Sequence, residues 1–352
     1  MTGATEFSDT ITIRKLADVV AIVPFLLGFH PSRSLVAVAI DDAKVKGAIR
    51  LDLTQDPAEM AERTAHLAKV LARNDLRRAL LVGYGPGSEV TPIMDAAMGA
   101  LRGFEIAISE AIRVDDGRYW SYICTEVTCC PPEGVPVDTS SSVPAAAAVV
   151  AGLRVLPDRA ALAATLEPPQ GFDQDQASSI TREVCTQAKR ASKTGGDWFS
   201  EGVERAVAAL DRVQSGDDLE AETVAWLGLY LTAKPVRDMA MTYMDQYGAE
   251  THVRLWTDVT RKVQPAFAAA PASLLAFAAM CQGNGPLASL ALDRALASNP
   301  RYSLALLLVE GLMAGVSPSA VLGCGWSELA DAVTAQVRDR PSAAWPLIPE
   351  GW

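Results

Sequence analysis

Three of the six cysteines fall within one short segment of this 352-residue chain, at Cys124, Cys129 and Cys130. Thiols this close together can bind a soft metal ion, take part in redox chemistry or pack as small apolar side chains. A zinc site would need a fourth ligand, and the spacing lacks the Cys-x-x-Cys pair that is typical of such sites. A thiol or zinc site, and three thiols packed beside Trp120 and Tyr122, therefore stay open as alternatives, and no cofactor is predicted.

A second group of residues suits a small anionic ligand. These residues lie in two turns and are Gly28, His30, Arg33, Ser34, Gly83, Gly85, Gly87 and Ser88. The second turn follows a predicted strand and leads into a predicted helix, where free N–H groups and the helix dipole favour an anion. It has neither the Gly-Lys-Ser/Thr ending of a Walker loop nor the glycine spacing of the dinucleotide fingerprint. The alternatives are a plain glycine turn, a histidine bonded to backbone, and an arginine paired with a carboxylate such as Asp52.

No catalytic residues are predicted. The chain has three histidines, and two of them, His66 and His252, lie within predicted helices. A Ser or Cys triad therefore has few bases available to it, and the Gly-x-Ser-x-Gly motif is missing from the sequence. Paired aspartates such as Asp41-Asp42 lie in predicted turns, where Asp is common because its side chain bonds the backbone. The sequence favours a protein that is not an enzyme, without excluding an enzyme.

The elements that position both candidate sites are predicted from hydrophobic periodicity and turn residues. We predict strands at residues 9–13, 35–40, 46–53, 78–82, 104–114 and 118–124, and helices at residues 14–25, 57–74 and 91–103. A short turn makes the second and third strands antiparallel, and the helix at 57–74 makes the third and fourth parallel. The start of the strand at 35–40 then shares a sheet edge with the end of the strand at 78–82. This edge gathers both candidate turns, and the hairpin carries Cys124 away from His30.

The composition changes in the segment TCCPPEGVPVDTSSSV, after which nearly all patterns are helical. We predict an α/β domain with a mixed sheet and flanking helices at residues 1–142, followed by an all-α helical domain at residues 143–352. Small residues at Ala276, Ala279, Ala288 and Ala295, followed by Pro300, are typical of tetratricopeptide-like packing. An ordinary alanine-rich antiparallel pair of helices is the alternative.

Charge and hydropathy exclude some partners. The formal net charge of −11, without a basic cluster, argues against binding to nucleic acid or to an anionic membrane. The first residues lack the pattern of a signal peptide, and the apolar runs are too short or too interrupted to span a bilayer. We expect a cytoplasmic protein with reduced thiols.

Two blocks of sequence carry a resemblance to a known family. One is PFLLGFHP at residues 24–31, followed by Ser34-Leu35-Val36, and the other is RYWSY at residues 118–122, leading to CCPPEG at residues 129–134. Val236-Arg237-Asp238 and residues 274–300 extend the match. The chain resembles the family known as domain of unknown function 4192, found mainly in actinobacteria. The resemblance implies the two-part layout and an actinobacterial cytosolic origin, and it supplies no activity and no functional residues.

The leading hypothesis is a cytosolic, non-enzymatic binding or scaffold protein whose helical-repeat-like surface contacts a protein partner. One alternative is an enzyme or sensor that binds a small anionic or nucleotide-like ligand at the edge formed by residues 28–34 and 83–88. The other is a thiol or zinc site at the three clustered cysteines.

Overall fold

The computed structural model describes residues 15–41, 44–139, 142–193, 195–323 and 325–352. The chain divides into two compact units, one reaching to Leu162 and including Met313–Ser317, the other formed by Ala163–Leu312 and Pro318–Trp352. This division lies downstream of the predicted boundary at residue 142, because the helix Val143–Val150 packs on the helix Leu16–Leu27 of the first unit. The strand predicted at residues 9–13 lies outside the described residues.

The first unit is built around one six-stranded mixed sheet with the order β2-β1-β3-β4-β5-β6. Its elements are α1 (Leu16–Leu27), β1 (Ser34–Asp41), β2 (Lys44–Asp52), α2 (Pro57–Arg73), β3 (Arg78–Tyr84), α3 (Gly87–Gly103), β4 (Ala107–Asp115), β5 (Arg118–Ser121), β6 (Val135–Pro136), α4 (Val143–Val150) and the first residues of α5 (Arg159–Ala164). Strands β3 and β4 are parallel, and all other neighbouring strands are antiparallel. The predicted α/β architecture with a mixed sheet is confirmed.

Strand β1 lies at the centre of the core. Residues 34–40 are all buried, which explains why this strand is apolar on both of its faces. Leu35, Ala37 and Ala39 face α2 and α3, where they join a cluster that includes Leu67 and Ile93. Burial of each leucine or isoleucine side chain in this cluster stabilises the fold by about 1.5–3 kcal/mol.

The strand register brings four strand ends to one edge of the sheet. Ser34 pairs with Asp52 of β2 and with Tyr84 of β3, and Tyr84 pairs in turn with Val114 of β4. The edge predicted from strand directions is therefore confirmed. Strand β5 then leaves this edge, since Ser121 pairs with Ile112, and carries the cysteine segment away from it as predicted.

Strand β4 begins at Ala107 and not at residue 104. Two other predicted element ends were wrong by three or more residues. Helix α3 begins at Gly87 and not at residue 91, because Pro86 is the N-cap and Pro92 is accommodated inside the helix at the loss of one backbone hydrogen bond. Strand β5 ends at Ser121 and not at residue 124, because the Ser121 hydroxyl accepts hydrogen bonds from the backbone N–H groups of Ile123 and Cys124. Both errors arose where a side chain or a cap, and not periodicity, sets the end of the element.

The second unit consists of helices. They are α6 (Gln174–Ala191), α7 (Trp198–Ser215), α8 (Ala221–Tyr230), α9 (Lys234–Thr242), α10 (Met244–Lys262), α11 (Ala269–Cys281), α12 (Gly285–Ser298), α13 (Ser303–Met313), α14 (Pro318–Leu322) and α15 (Trp326–Asp339), with 3₁₀ turns at Pro265–Phe267 and Pro341–Ala344. Helix α11 packs between α10 and α12, and α9 packs on α15. The small residues Ala276, Ala279, Ala288 and Ala295 are fully buried. Tetratricopeptide-like packing stays a prediction, because one closely packed pair does not define a repeat.

Within the described part of the chain, the helices all fall short of the length and apolar character that a membrane span requires.

Candidate functional site

The loop between β5 and β6 brings the three clustered cysteines together. The Sγ atoms of Cys124 and Cys129 lie 3.3 Å apart, those of Cys129 and Cys130 lie 3.5 Å apart, and all three lie within 4.8 Å of one another. Cys129 is exposed, and the other two are half-buried. The three thiols therefore lie in a solvent-accessible loop and are not part of the core.

Backbone hydrogen bonds fix this loop at each cysteine. The Ser121 hydroxyl accepts from the N–H of Cys124 at 2.9 Å and donates to the Glu110 carboxylate at 2.8 Å. The Glu126 carbonyl accepts from the N–H groups of both Cys129 and Cys130, at 3.1 and 2.7 Å. The three thiols are thus held close by contacts that do not involve the sulfur atoms.

Trp120 anchors the far end of the loop. Its indole N–H donates to the Pro132 carbonyl at 2.9 Å, and the Arg113 guanidinium lies 3.7 Å from its ring centre. Gly134 has φ +80°, and a Cβ atom at this position would lie 2.5 Å from Trp120 Cε2. Only glycine therefore fits beneath the ring. Sequence reasoning missed these positioning residues, although the glycine after Pro-Pro-Glu marked the turn.

Hydrogen bonding makes Cys124 the thiol that ionises first. Hydrogen bonds from the Glu126 backbone, and from Cys129 and Cys130, lower the pKa of Cys124. Burial and the two neighbouring thiols raise the pKa of Cys130 to about 12. A hydrogen bond to Cys124 raises the pKa of Cys129. Once Cys124 has ionised, ionisation of a second thiol is disfavoured, because each further thiolate would repel the first.

The predicted anion-binding residues differ in burial and in their partners. Arg33 is 70% exposed and pairs with Glu89 at 2.9 Å, while Asp52 pairs with Arg50 at 2.7 Å. Arg33 therefore pairs with a carboxylate, as one alternative suggested, but the carboxylate is that of Glu89 and not that of Asp52. The hydroxyl of Ser34 is buried and has no hydrogen-bond partner among the described residues.

The glycines of the second turn have packing roles. Gly83 lies in β3, where a Cβ atom would overlap Cγ1 of Val90, so glycine lets α3 pack closely on the strand. Gly85 has φ +131°, and only Gly85 and Pro86 connect β3 to α3. Gly87 and Ser88 already belong to the helix, with the Arg113 side chain 3.5 Å from the position of a Cβ on Gly87. The glycine spacing is thus explained by a short strand-to-helix connection.

His30 lines a cleft of about 510 Å³ at the confirmed sheet edge. The cleft is bounded by α1, by the turn after it, by the ends of β3 and β4 and by α4, through Val20, Ala21, Phe25, His30, Pro31, Tyr84, Val114, Thr139 and Ala145. Most of these side chains are apolar, and His30 is exposed. Tyr84 lies within the predicted segment at residues 83–88, but it was not named among the ligand-binding residues. Burial raises the pKa of Tyr84 well above its usual range, and its hydroxyl has no partner among the described residues.

Comparison with known proteins supports one assignment. No curated protein and no solved structure matches the chain. The family model described as domain of unknown function (DUF4192) matches residues 17–319, which include most of both units. The resemblance seen in residues 24–36 and 118–134 is therefore confirmed, and the chain belongs to the DUF4192 family.

Proposed function

We propose that the protein is a non-enzymatic binding protein whose first unit holds a small molecule in the cleft beside His30. The observation that carries this proposal is the position of the cleft. Its wall includes Tyr84 at the end of β3 and Val114 near the end of β4, and these strands are the parallel pair of the sheet. Ligands of open α/β sheets bind beyond the carboxyl ends of parallel strands.

The lining of the cleft narrows the chemistry of the ligand. Its volume of about 510 Å³ lies within the range of about 300–1,000 Å³ that is usual for small-molecule sites. The walls are mostly apolar, and the exposed imidazole of His30 supplies a polar group. An apolar ring system that carries one anionic or hydrogen-bond-accepting group fits both properties. A polyanionic nucleotide fits less well, because the described residues that line the cleft include no lysine or arginine.

A fluorescent dye of this chemistry tests the proposal. We expect 8-anilinonaphthalene-1-sulfonate, two aromatic ring systems with one sulfonate, to bind the folded chain at a single site. Removing the imidazole with His30→Ala should weaken binding by about tenfold, the effect of one charge-assisted hydrogen bond. The larger side chain in Ala145→Leu should narrow the cleft and weaken binding.

A matched control is available on the same helix. Ala147 is an exposed residue of α4 that does not line the cleft, so Ala147→Leu should leave the dye affinity unchanged. Equal dye binding by the Ala145→Leu and Ala147→Leu variants would contradict the proposal, as would the lack of a saturable site in the unsubstituted protein.

A protein partner for the helical unit is a second proposal. Leu306 and Leu307 of α13 are 43% and 63% exposed, and apolar side chains in contact with water are frequent at interfaces. Pull-down from a cell lysate should recover a partner with the unsubstituted chain and lose it with the double substitution Leu306→Ser and Leu307→Ser. Identical recovery with both chains would refute this surface. We place both activities in the cytoplasm, where free thiols stay reduced.

A further inference from the structure

The loop between β5 and β6 carries a chemistry that the cleft does not use. We propose that Cys124, Cys129 and Cys130 form a binding site for one thiophilic d¹⁰ metal ion, Zn²⁺ or its heavier analogue Cd²⁺. The three cysteines are the only such cluster of His, Cys, Asp or Glu side chains among the described residues. This site is independent of the small-molecule cleft, since the two share no residue.

The distances between the sulfur atoms fit a shared ion. In a tetrahedral zinc thiolate site with Zn–S bonds of about 2.3 Å, neighbouring sulfur atoms lie about 3.8 Å apart. Two of the separations here are 3.3 and 3.5 Å, and the third lies within 4.8 Å. Only small side-chain rotations are needed to place all three sulfur atoms around one ion.

The loop is organised before any ion binds. The Glu126 carbonyl holds the backbone of Cys129 and Cys130, and the Ser121 hydroxyl holds the backbone of Cys124. Trp120 closes the loop through its hydrogen bond to the Pro132 carbonyl. An ion would therefore gain three ligands without first ordering the chain, which favours affinity.

The charge balance also favours a cation. When the three sulfur–metal bonds form, the protons of the binding thiols pass to solvent, and the hydrated ion loses all but one of its water molecules to become four-coordinate. The positive charge then offsets the repulsion among three thiolates. Glu110 and Glu126 act electrostatically on these thiols and add to the negative potential. Because the described residues place no fourth protein ligand in the cluster, water or an external ligand would complete the tetrahedron.

Metal titration of the full chain tests the proposal. The protein is stripped with a chelator, kept in a non-chelating phosphine reductant and titrated with Cd²⁺, whose thiolate complexes absorb in the near ultraviolet. We expect one Cd²⁺ per chain, and we expect Cd²⁺ to displace Zn²⁺ that was bound beforehand, because thiolates bind the softer ion more tightly. Cys129→Ser should lower the affinity by at least about 100-fold, beyond the effect of removing a group that only orients a ligand. Since Cys129 is exposed, this substitution should leave the circular dichroism spectrum unchanged.

Cysteines outside the cluster provide the control. Cys185 lies buried in α6, so Cys185→Ala should retain one Cd²⁺ per chain and the same charge-transfer absorption. A stripped, reduced and folded protein that binds no Cd²⁺ and no Zn²⁺ would overturn the proposal. Binding that persists unchanged in Cys129→Ser, or that is lost in Cys185→Ala while Cys129→Ser retains it, would overturn it as well.

Discussion

The buried histidine of α10 makes the stability of the helical unit depend on pH. His252 has no exposed surface, and its Nδ1 accepts a hydrogen bond from the Trp256 indole at 3.1 Å. Its Nε2 is buried without a partner among the described residues. The imidazole is therefore held neutral, and burial lowers the pKa of His252 from 6.5 to about 4.

The direction of the effect follows from this lowered pKa. Above pH 6.5 neither state of the protein carries a proton on His252, and its contribution to stability is fully present. As the pH falls from 6.5 towards 4, the unfolded chain binds a proton that the folded chain does not. At 1.36 kcal/mol per unit, the free energy of unfolding should fall by about 3 kcal/mol between pH 7 and pH 4.

Urea unfolding followed by far-ultraviolet circular dichroism measures this contribution. The His252→Gln variant lacks the titrating group, so its stability should change less with pH than that of the unsubstituted protein, by the same amount of about 3 kcal/mol. His66 is only partly buried in α2, and His66→Gln is measured in parallel as a control for the replacement of a histidine by glutamine. Parallel pH profiles for the unsubstituted protein and His252→Gln, or an NMR titration of folded His252 above pH 6, would refute the reasoning.

Two further predictions concern the first unit, and urea unfolding measures both. Gly134→Ala should lower the free energy of unfolding by about 2–4 kcal/mol. The alanine would have to adopt the left-handed backbone conformation of Gly134, and its Cβ atom would also overlap Trp120. Gly117 has φ +71°, and no atom of the described residues lies within 4 Å of the position of an added Cβ atom, so Gly117→Ala should lower the free energy of unfolding by only about 1 kcal/mol. Equal losses of stability in the two variants would contradict the overlap at Gly134. Tyr84→Phe removes an unpartnered buried hydroxyl and should stabilise by about 1 kcal/mol, whereas Tyr247→Phe, whose hydroxyl donates to a carboxylate at 2.7 Å, should destabilise by a similar amount. A loss of stability in Tyr84→Phe would show that its hydroxyl has a partner.

Local sequence patterns predicted the sheet well. The apolar run of β1 and the cap at Asp56, whose carboxylate accepts from the Ala58 N–H at 2.9 Å, are properties of a few neighbouring residues. Short connections then determined strand direction, and strand direction determined the shared edge that holds His30. The layout of β1 to β5 followed by a helical part was therefore predictable, whereas the short strand β6 was not predicted.

Predictions from sequence patterns failed where contacts between distant parts of the chain determine which residue a position requires. The glycines near Gly83 resembled a phosphate-binding turn, yet Gly83 is required by Val90, which sits on the next helix. The suggested partner of Arg33 was a carboxylate such as Asp52, and only the packing of α3 identifies this carboxylate as Glu89. The predicted protein partner and the tetratricopeptide-like packing stay predictions, because alanine-rich helices pack closely in many folds.

The sequence alone determined the candidate chemistry of this protein: three neighbouring thiols, one histidine in an exposed turn and no evident catalytic set. Only the tertiary structure decided how those groups are arranged. The sulfur atoms converge because Glu110 and Pro132, far apart in the chain, hold Ser121 and Trp120 in place. Distances between side chains depend on strand register and on such long-range hydrogen bonds, which periodicity does not encode.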